Sequence, residues 1–293
     1  MYSCFADVER ACAERGIGPA RLFLENEVRL TGRSEKEIYD LMDARLTIME
    51  DAANRALTGP LGSVGGLIDG LAQAQWNYAK GAQTLCGAFL NRVMARALSC
   101  SEVNASMGRI CAAPTAGSCG ILPAVLLTMQ EEYALPRRAV LDALLTASGF
   151  GAVVMKNATV AGAEGGCQAE CGVAGAMAAA AAVQLRGGSL AQMLTAFSLT
   201  LVNCMGLVCD PVAGLVQVPC AQRNASQAVG TLLAADMALS GQGFPIPADQ
   251  VVETMARVGR QLPIELKETA QGGIAATKRG RQIAQEILGR ERI

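Results

Sequence analysis

The chain is expected to fold as an all-α protein, a compact multi-helix domain threaded by Gly- and Pro-rich loops. Three observations predict this. Hydrophobic residues make up 51% of the chain and aromatics only 4%, so the apolar mass is Ala, Leu, Val and Met, which favour or tolerate helix. Apolar residues recur at helical spacing, as in Ile38, Leu41, Met42, Leu46 and Met49. No sustained alternation of Val, Ile and Thr marks out strands. A chain of 293 residues suffices for one large domain or two small ones. We read 1–293 as a single domain, with 1–58 as a candidate N-terminal helical subregion.

The elements follow in order. A short helix is expected over Cys4–Arg15 and a second from about Pro19. A third is capped by Ser34 with Glu37 three residues on, a capping box. Residues 59–70 contain five Gly and one Pro and form a loop. A helix over 77–98 should follow. Residues 102–117 read as an irregular stretch leading into a helix near Ser118. Further helices are expected over 137–148, 172–185, 190–207, 225–240, 248–260 and 275–289. From Gly187 to Cys209 there are 23 residues without charge, long enough to span a bilayer. Gln192, Ser198, Thr200 and Asn203 interrupt that run and it ends in an Asp-Pro turn, so a buried core helix is the reading we adopt, with no membrane partner.

A formal net charge of −1 gives no strong pull toward nucleic acid or acidic lipid. The basic residues Lys278, Arg279 and Arg281 read as a solvated helix face. The segment Met1–Arg10 carries Asp7 and Glu9 and lacks the apolar core of a signal peptide, which points to the cytoplasm. There the eleven Cys are expected as thiols or metal ligands, not disulfides. The chain has no His. It can build neither a Ser-His-Asp nor a Cys-His pair, and any metal must be held by thiolate or oxygen.

Three segments concentrate the chemistry. Ala112-Ala-Pro-Thr-Ala-Gly-Ser-Cys-Gly-Ile-Leu-Pro123 opens a helix with exposed N–H groups suited to a carboxylate. It equally suits an ordinary helix start. In Lys156-Asn-Ala-Thr-Val-Ala-Gly-Ala-Glu-Gly-Gly-Cys-Gln-Ala-Glu-Cys171, two glycines let the backbone at Cys167 approach something bulky. A helix start there favours a thiolate, although a buried structural Cys fits as well. In Cys209-Asp-Pro-Val-Ala-Gly-Leu-Val-Gln-Val-Pro-Cys220, two Cys bracket a turn-rich loop that is costly to order unless something holds it. Arg223 and Asn224 place a cation and an amide just beyond.

These segments, with Leu266-Lys-Glu-Thr-Ala-Gln-Gly-Gly273 near the end, resemble in order and residue the alpha chain of bacterial iron–sulfur L-serine dehydratases. The resemblance spans essentially the whole chain. It implies a mostly helical fold and a [4Fe–4S] cluster held in the Gly/Pro-rich loops by Cys167, Cys209 and Cys220, with Cys171 left to packing. Three thiolates leave one iron open to act as a Lewis acid on the hydroxyl of L-serine, and elimination then leads to pyruvate and ammonia. Thr115, Gly117, Ser118 and Asn157 are the candidate substrate-binding residues. For the base, the chain offers Lys156, Glu164, Glu170 and Lys267; Lys156 and Glu164 are the catalytic candidates taken forward. The family also has a beta-type region with a Ser-Ser-Ser-His-Thr motif that this sequence lacks, so a separate beta subunit is expected to complete the site and supply the base. Two alternatives remain: an L-cysteine desulfidase using the same cluster, and a non-enzymatic iron–sulfur redox protein.

Overall fold

The computed structural model describes residues 2–81 and 83–289. Among the described residues the secondary structure is helical, and the single extended pairing is an isolated parallel bridge between Cys209 and Lys267. The first three helices are α1 (Phe5–Arg15), α2 (Pro19–Thr31) and α3 (Glu35–Arg55). The capping box at Ser34 forms as expected, with the serine side chain accepting from the Glu37 N–H and the Glu37 carboxylate accepting in return from the Ser34 N–H.

The Gly-rich loop after α3 is followed by α4 (Leu71–Ala79) and α5 (Gly87–Ala105), where one helix was expected over 77–98. A turn separates them, and Gly87 takes a positive φ of 67° at the start of α5. After the turn Ala116–Ser118 comes α6 (Ile121–Glu132), then α7 (Arg137–Asn157). The helix expected over 137–148 thus runs nine residues further, through Gly149 and Gly151. Both glycines are there for packing: a Cβ on Gly149 would lie 2.3 Å from the Phe23 ring, and one on Gly151 2.9 Å from Met177.

Next come α8 (Gly162–Gly165), a single π turn over Gln168–Gly172, and α9 (Val173–Leu185). Every residue of α9 from Val173 to Val183 is buried. Its alanines present no bulk, so α6, α7, α10 (Leu190–Cys204) and α11 (Cys220–Leu239) all close directly on it. Helix α11 begins five residues earlier than expected, at Cys220. The aromatic cluster of Phe5, Phe150 and Phe197 ties α1 to α7 and α10, with Phe5 and Phe197 centroids 4.8 Å apart. Helices α12 (Ala248–Gln261) and α13 (Lys278–Leu288) end the described chain.

In the uncharged run after Gly187 the helix α10 is 15 residues long. By length and composition α7 is apolar enough to cross a bilayer, but 67% of its apolar window is buried in the protein.

Candidate active site

The three segments converge at one end of the α9 core. The first enters as a 3₁₀ turn whose preceding residue, Thr115, donates from Oγ1 to Glu170 Oε1 at 2.7 Å. Ser118 Oγ lies 3.1 Å from the same hydroxyl. The loop is clamped from α11 by Asn224, which accepts from the Gly120 N–H at 3.0 Å and donates to Gly117 O at 2.7 Å. The amide that follows Cys220 in sequence therefore fixes the backbone of the first motif.

The second segment carries Cys167 between α8 and the π turn. Gly166 adopts φ 76°, a conformation natural only to glycine, and a Cβ there would meet Leu207 O at 2.8 Å. Gln168 locks this corner: its backbone N–H donates to Leu207 O, and its side chain bridges Gly165 O, Met255 O and the Gly206 N–H. The same turn brings Glu170 to face Thr115. Bare backbone flanks that carboxylate on both sides, since a Cβ on Gly117 would stand 3.0 Å from Oε1 and one on Gly162 2.7 Å from Oε2. The Gly162 position is also 3.1 Å from Cys209 Sγ, which sets the carboxylate and that thiol against the same glycine.

The third segment is pinned by ion pairing and by the fourth motif. Asp210 is 2% exposed; it accepts from Arg223 Nη2 at 2.8 Å and from the Ile274 N–H at 2.7 Å. Arg223 also donates to Val208 O. Cys209 exchanges backbone bonds with Leu266 O and the Glu268 N–H, at 2.8 and 2.7 Å. Glu268 makes this contact with φ 63°, a left-handed conformation that costs a non-glycine residue about 1–2 kcal/mol. Gln217 reaches the Gly-rich loop, accepting from the Leu67 N–H and donating to Val64 O.

Cys167, Cys209 and Cys220 are 2%, 2% and 7% exposed, so bulk water does not stabilise their charge. Burial pushes the Cys209 thiol up, and Cys167, Glu170, Glu268 and Cys220 add to the rise. Cys220 is pushed up to about 12 by burial and by Cys167 and Glu170, with Arg223 opposing. Cys167 goes the other way. A hydrogen bond from Cys171 favours its thiolate, against burial, and Arg223 adds to the lowering. Cys171, buried and facing that thiolate, is held protonated. Burial raises the Glu170 carboxyl, Thr115 lowers it and Glu268 raises it further. The three thiols and two carboxylates thus sense one another, with Arg223 as the cation among them. No group of three or more Cys, Asp and Glu side chains among the described residues gathers closely enough to hold a single metal ion.

The structure brings Thr115, Gly117, Ser118, Cys167, Cys209 and Cys220 to this site. Glu170 joins them, the backbone of Lys267 bridges to Cys209, and Lys156, Asn157 and Glu164 lie elsewhere. Lys156 Nζ donates to Ser3 Oγ at 2.9 Å, and Asn157 donates to Ser3 O and Val153 O, both exposed at the end of α7. Glu164 is exposed on α8. Glu170 is the site carboxylate the sequence offered without ranking it first; its one signal was its place three residues after Cys167.

The class this defines is an all-helical protein in which Gly-rich loops set three buried thiols and a carboxylate around one small site. The family is specific. The model of the serine dehydratase alpha chain matches residues 14–275, and the chain belongs to that family. It is 46% identical over 288 residues to the L-serine dehydratase alpha chain of Peptoniphilus asaccharolyticus, covering 98% of this chain and 99% of that one. It is 43% identical to the probable L-serine dehydratase alpha chain of Bacillus subtilis, covering 99% and 96%. It is also 35% identical to L-serine dehydratase 2 of Escherichia coli, there covering 94% of this chain but 61% of the longer relative.

Proposed function

We propose that this chain is the cluster-bearing subunit of a two-chain L-serine dehydratase. The reaction removes water from L-serine to give aminoacrylate, which becomes the imine and is hydrolysed to pyruvate and ammonia. The observation that carries the reading is the convergence of Cys167, Cys209 and Cys220, from separate segments, beside the Glu170 carboxylate.

The donor set fits a [4Fe–4S] cluster. Cys209 and Cys220 are pushed up by burial and by Cys167, so turning all three thiols into thiolates calls for positive charge, and Arg223, already shared with Asp210, is too little. When bound, the cluster supplies a Lewis-acidic iron that polarises the carbon–oxygen bond of the substrate hydroxyl.

The residues of the chain then have distinct tasks. Cys167, Cys209 and Cys220 hold the cluster. Asp210 and Arg223 fix the loop between two of them, and Arg223 offsets thiolate charge. Thr115, Gly117 and Ser118 border the substrate, with Asn224 holding their backbone. Lys156 and Asn157 are engaged with Ser3 and Glu164 faces solvent, so we assign proton removal from the α-carbon to a His of a beta-type partner chain. The setting is cytoplasmic.

The test is anaerobic purification together with the beta-type chain, followed by assay of L-serine and L-cysteine. Pyruvate from L-serine, at a kcat/KM well above that for sulfide release from L-cysteine, is the expected result. Preferred release of sulfide would make the protein a desulfidase.

A further inference from the structure

We infer that Glu170 is the receptor for the substrate's α-ammonium group, and so the residue that selects an amino acid over a hydroxy acid without nitrogen. This inference rests on the function proposed above and adds a residue and a specificity to it.

By its sequence the Thr115–Ser118 loop suits a substrate carboxylate or an ordinary helix start. In the folded chain a carboxylate does sit there, but it belongs to the protein: Thr115 donates to Glu170 Oε1 at 2.7 Å. A ligand carrying only negative charge would meet Glu170 at that loop. Glu268 adds a second negative charge to the same surroundings. Neither carboxylate has a basic side chain within ion-pair distance among the described residues, because Arg223, the cation of the site, pairs with Asp210. Glu170 is half-buried and its hydrogen bond from Thr115 engages Oε1, leaving Oε2 toward Gly162 and the Cys209 thiol.

A half-buried carboxylate without a cation is unfavourable until a cation arrives. An α-amino acid brings one. Its carboxylate can use the loop donors while its ammonium faces Glu170, so both charges of the zwitterion are answered within one small site. The two glycines beside Glu170 permit this, since a side chain at either would stand at 3.0 Å or less from the carboxylate. Negative charge next to the thiols is then the means of recognition, and it is compatible with holding a cluster because the incoming ammonium neutralises it.

The experiment uses the active holoenzyme with its partner chain. It compares wild type and Glu170→Gln for L-serine turnover and for inhibition by 3-hydroxypropanoate, which is L-serine without its amino group. Glu170→Gln should raise KM for L-serine by about tenfold to a hundredfold, the scale of one charge-assisted hydrogen bond. It should hold kcat within about threefold, keep the cluster absorbance, and leave unchanged or lower the Ki of 3-hydroxypropanoate. An unchanged KM, or KM and Ki rising by the same factor, would overturn the inference. Should Glu170→Gln fail to fold or lose the cluster, Glu170→Asp carries the same comparison. It keeps the charge but withdraws it, and KM must rise while Ki does not. Failure of both variants to fold would assign Glu170 a structural role and overturn the inference as well. If wild type turns over no L-serine, the proposed function falls and this inference with it; turnover by wild type with an unmoved KM in the variant defeats the inference alone.

Discussion

At the scale of single residues, the chain has eleven Cys and gives them very different surroundings. Cys86 is exposed, while Cys100 and Cys119 are deep in the apolar core, Cys119 Sγ lying 3.8 Å from Cys100 O. Burial pushes the Cys119 thiol up to about 12, which leaves it inert near neutral pH. Cys167, Cys209 and Cys220 are equally buried, yet they face one another and Arg223. Cys220 also opens α11, where the helix end favours a thiolate. Replacing any of these three with Ala should abolish both the brown chromophore after anaerobic reconstitution and the activity. Cys86→Ala and Cys12→Ala should retain both. Cys171→Ala should keep the chromophore, because Cys171 serves Cys167 as a hydrogen-bond donor. Loss of the cluster in Cys171→Ala with retention in Cys167→Ala would reverse that assignment. Absorbance and iron content of the purified proteins decide it.

At the scale of elements, the Gly-rich loop over 59–70 is held by a buried carboxylate and a buried amide. Glu102 on α5 is fully buried and accepts from the N–H groups of Gly70 and Ala72 at 3.0 and 2.7 Å, with Leu61 N at 3.5 Å. A charged acceptor in such a place is held by its donors. Gln217, inside the third motif, holds the middle of the loop through Leu67 and Val64. The loop is therefore a strut between α5 and the cysteine loop. Glu102→Gln turns an N–H donor toward backbone N–H groups and should cost about 1–3 kcal/mol. Urea unfolding would show the loss, and hydrogen exchange should quicken first at Gly70 and Ala72. Unaltered exchange at those amides would show that the loop does not depend on Glu102.

At the scale of the whole molecule, the fold is a cage of helices around α9, and the site lies where the cage is closed by loops. The chain holds no His, and Lys156, one candidate for proton transfer, is engaged with Ser3. The match to the Escherichia coli relative covers 61% of that longer chain. The isolated chain with its cluster rebuilt should therefore produce no pyruvate from L-serine, and adding the beta-type chain should restore turnover. Full turnover by the isolated chain would place the base within it, with Glu170 then the first residue to examine.

The helical class, the Ala-rich helix near 172–185, the capping box at Ser34 and the segments that converge in the fold are legible in the sequence. Each of these is written in local pattern: periodicity, a cap three residues from its partner, or glycines beside a cysteine. Helix ends were less legible. Nothing local reveals that Phe23 and Met177 cover Gly149 and Gly151 and carry α7 to Asn157, because that packing comes from residues distant in the chain. The carboxylate partner of Thr115 was equally hidden, since Glu170 lies 55 residues away and meets it only when the π turn and the 3₁₀ turn are pressed together. Tertiary structure also drew Lys156 and Asn157 away to Ser3, a contact spanning more than 150 residues. Which residue types the chemistry uses is a local property. Which of them share a site is decided by long-range packing, and only the folded chain contains that.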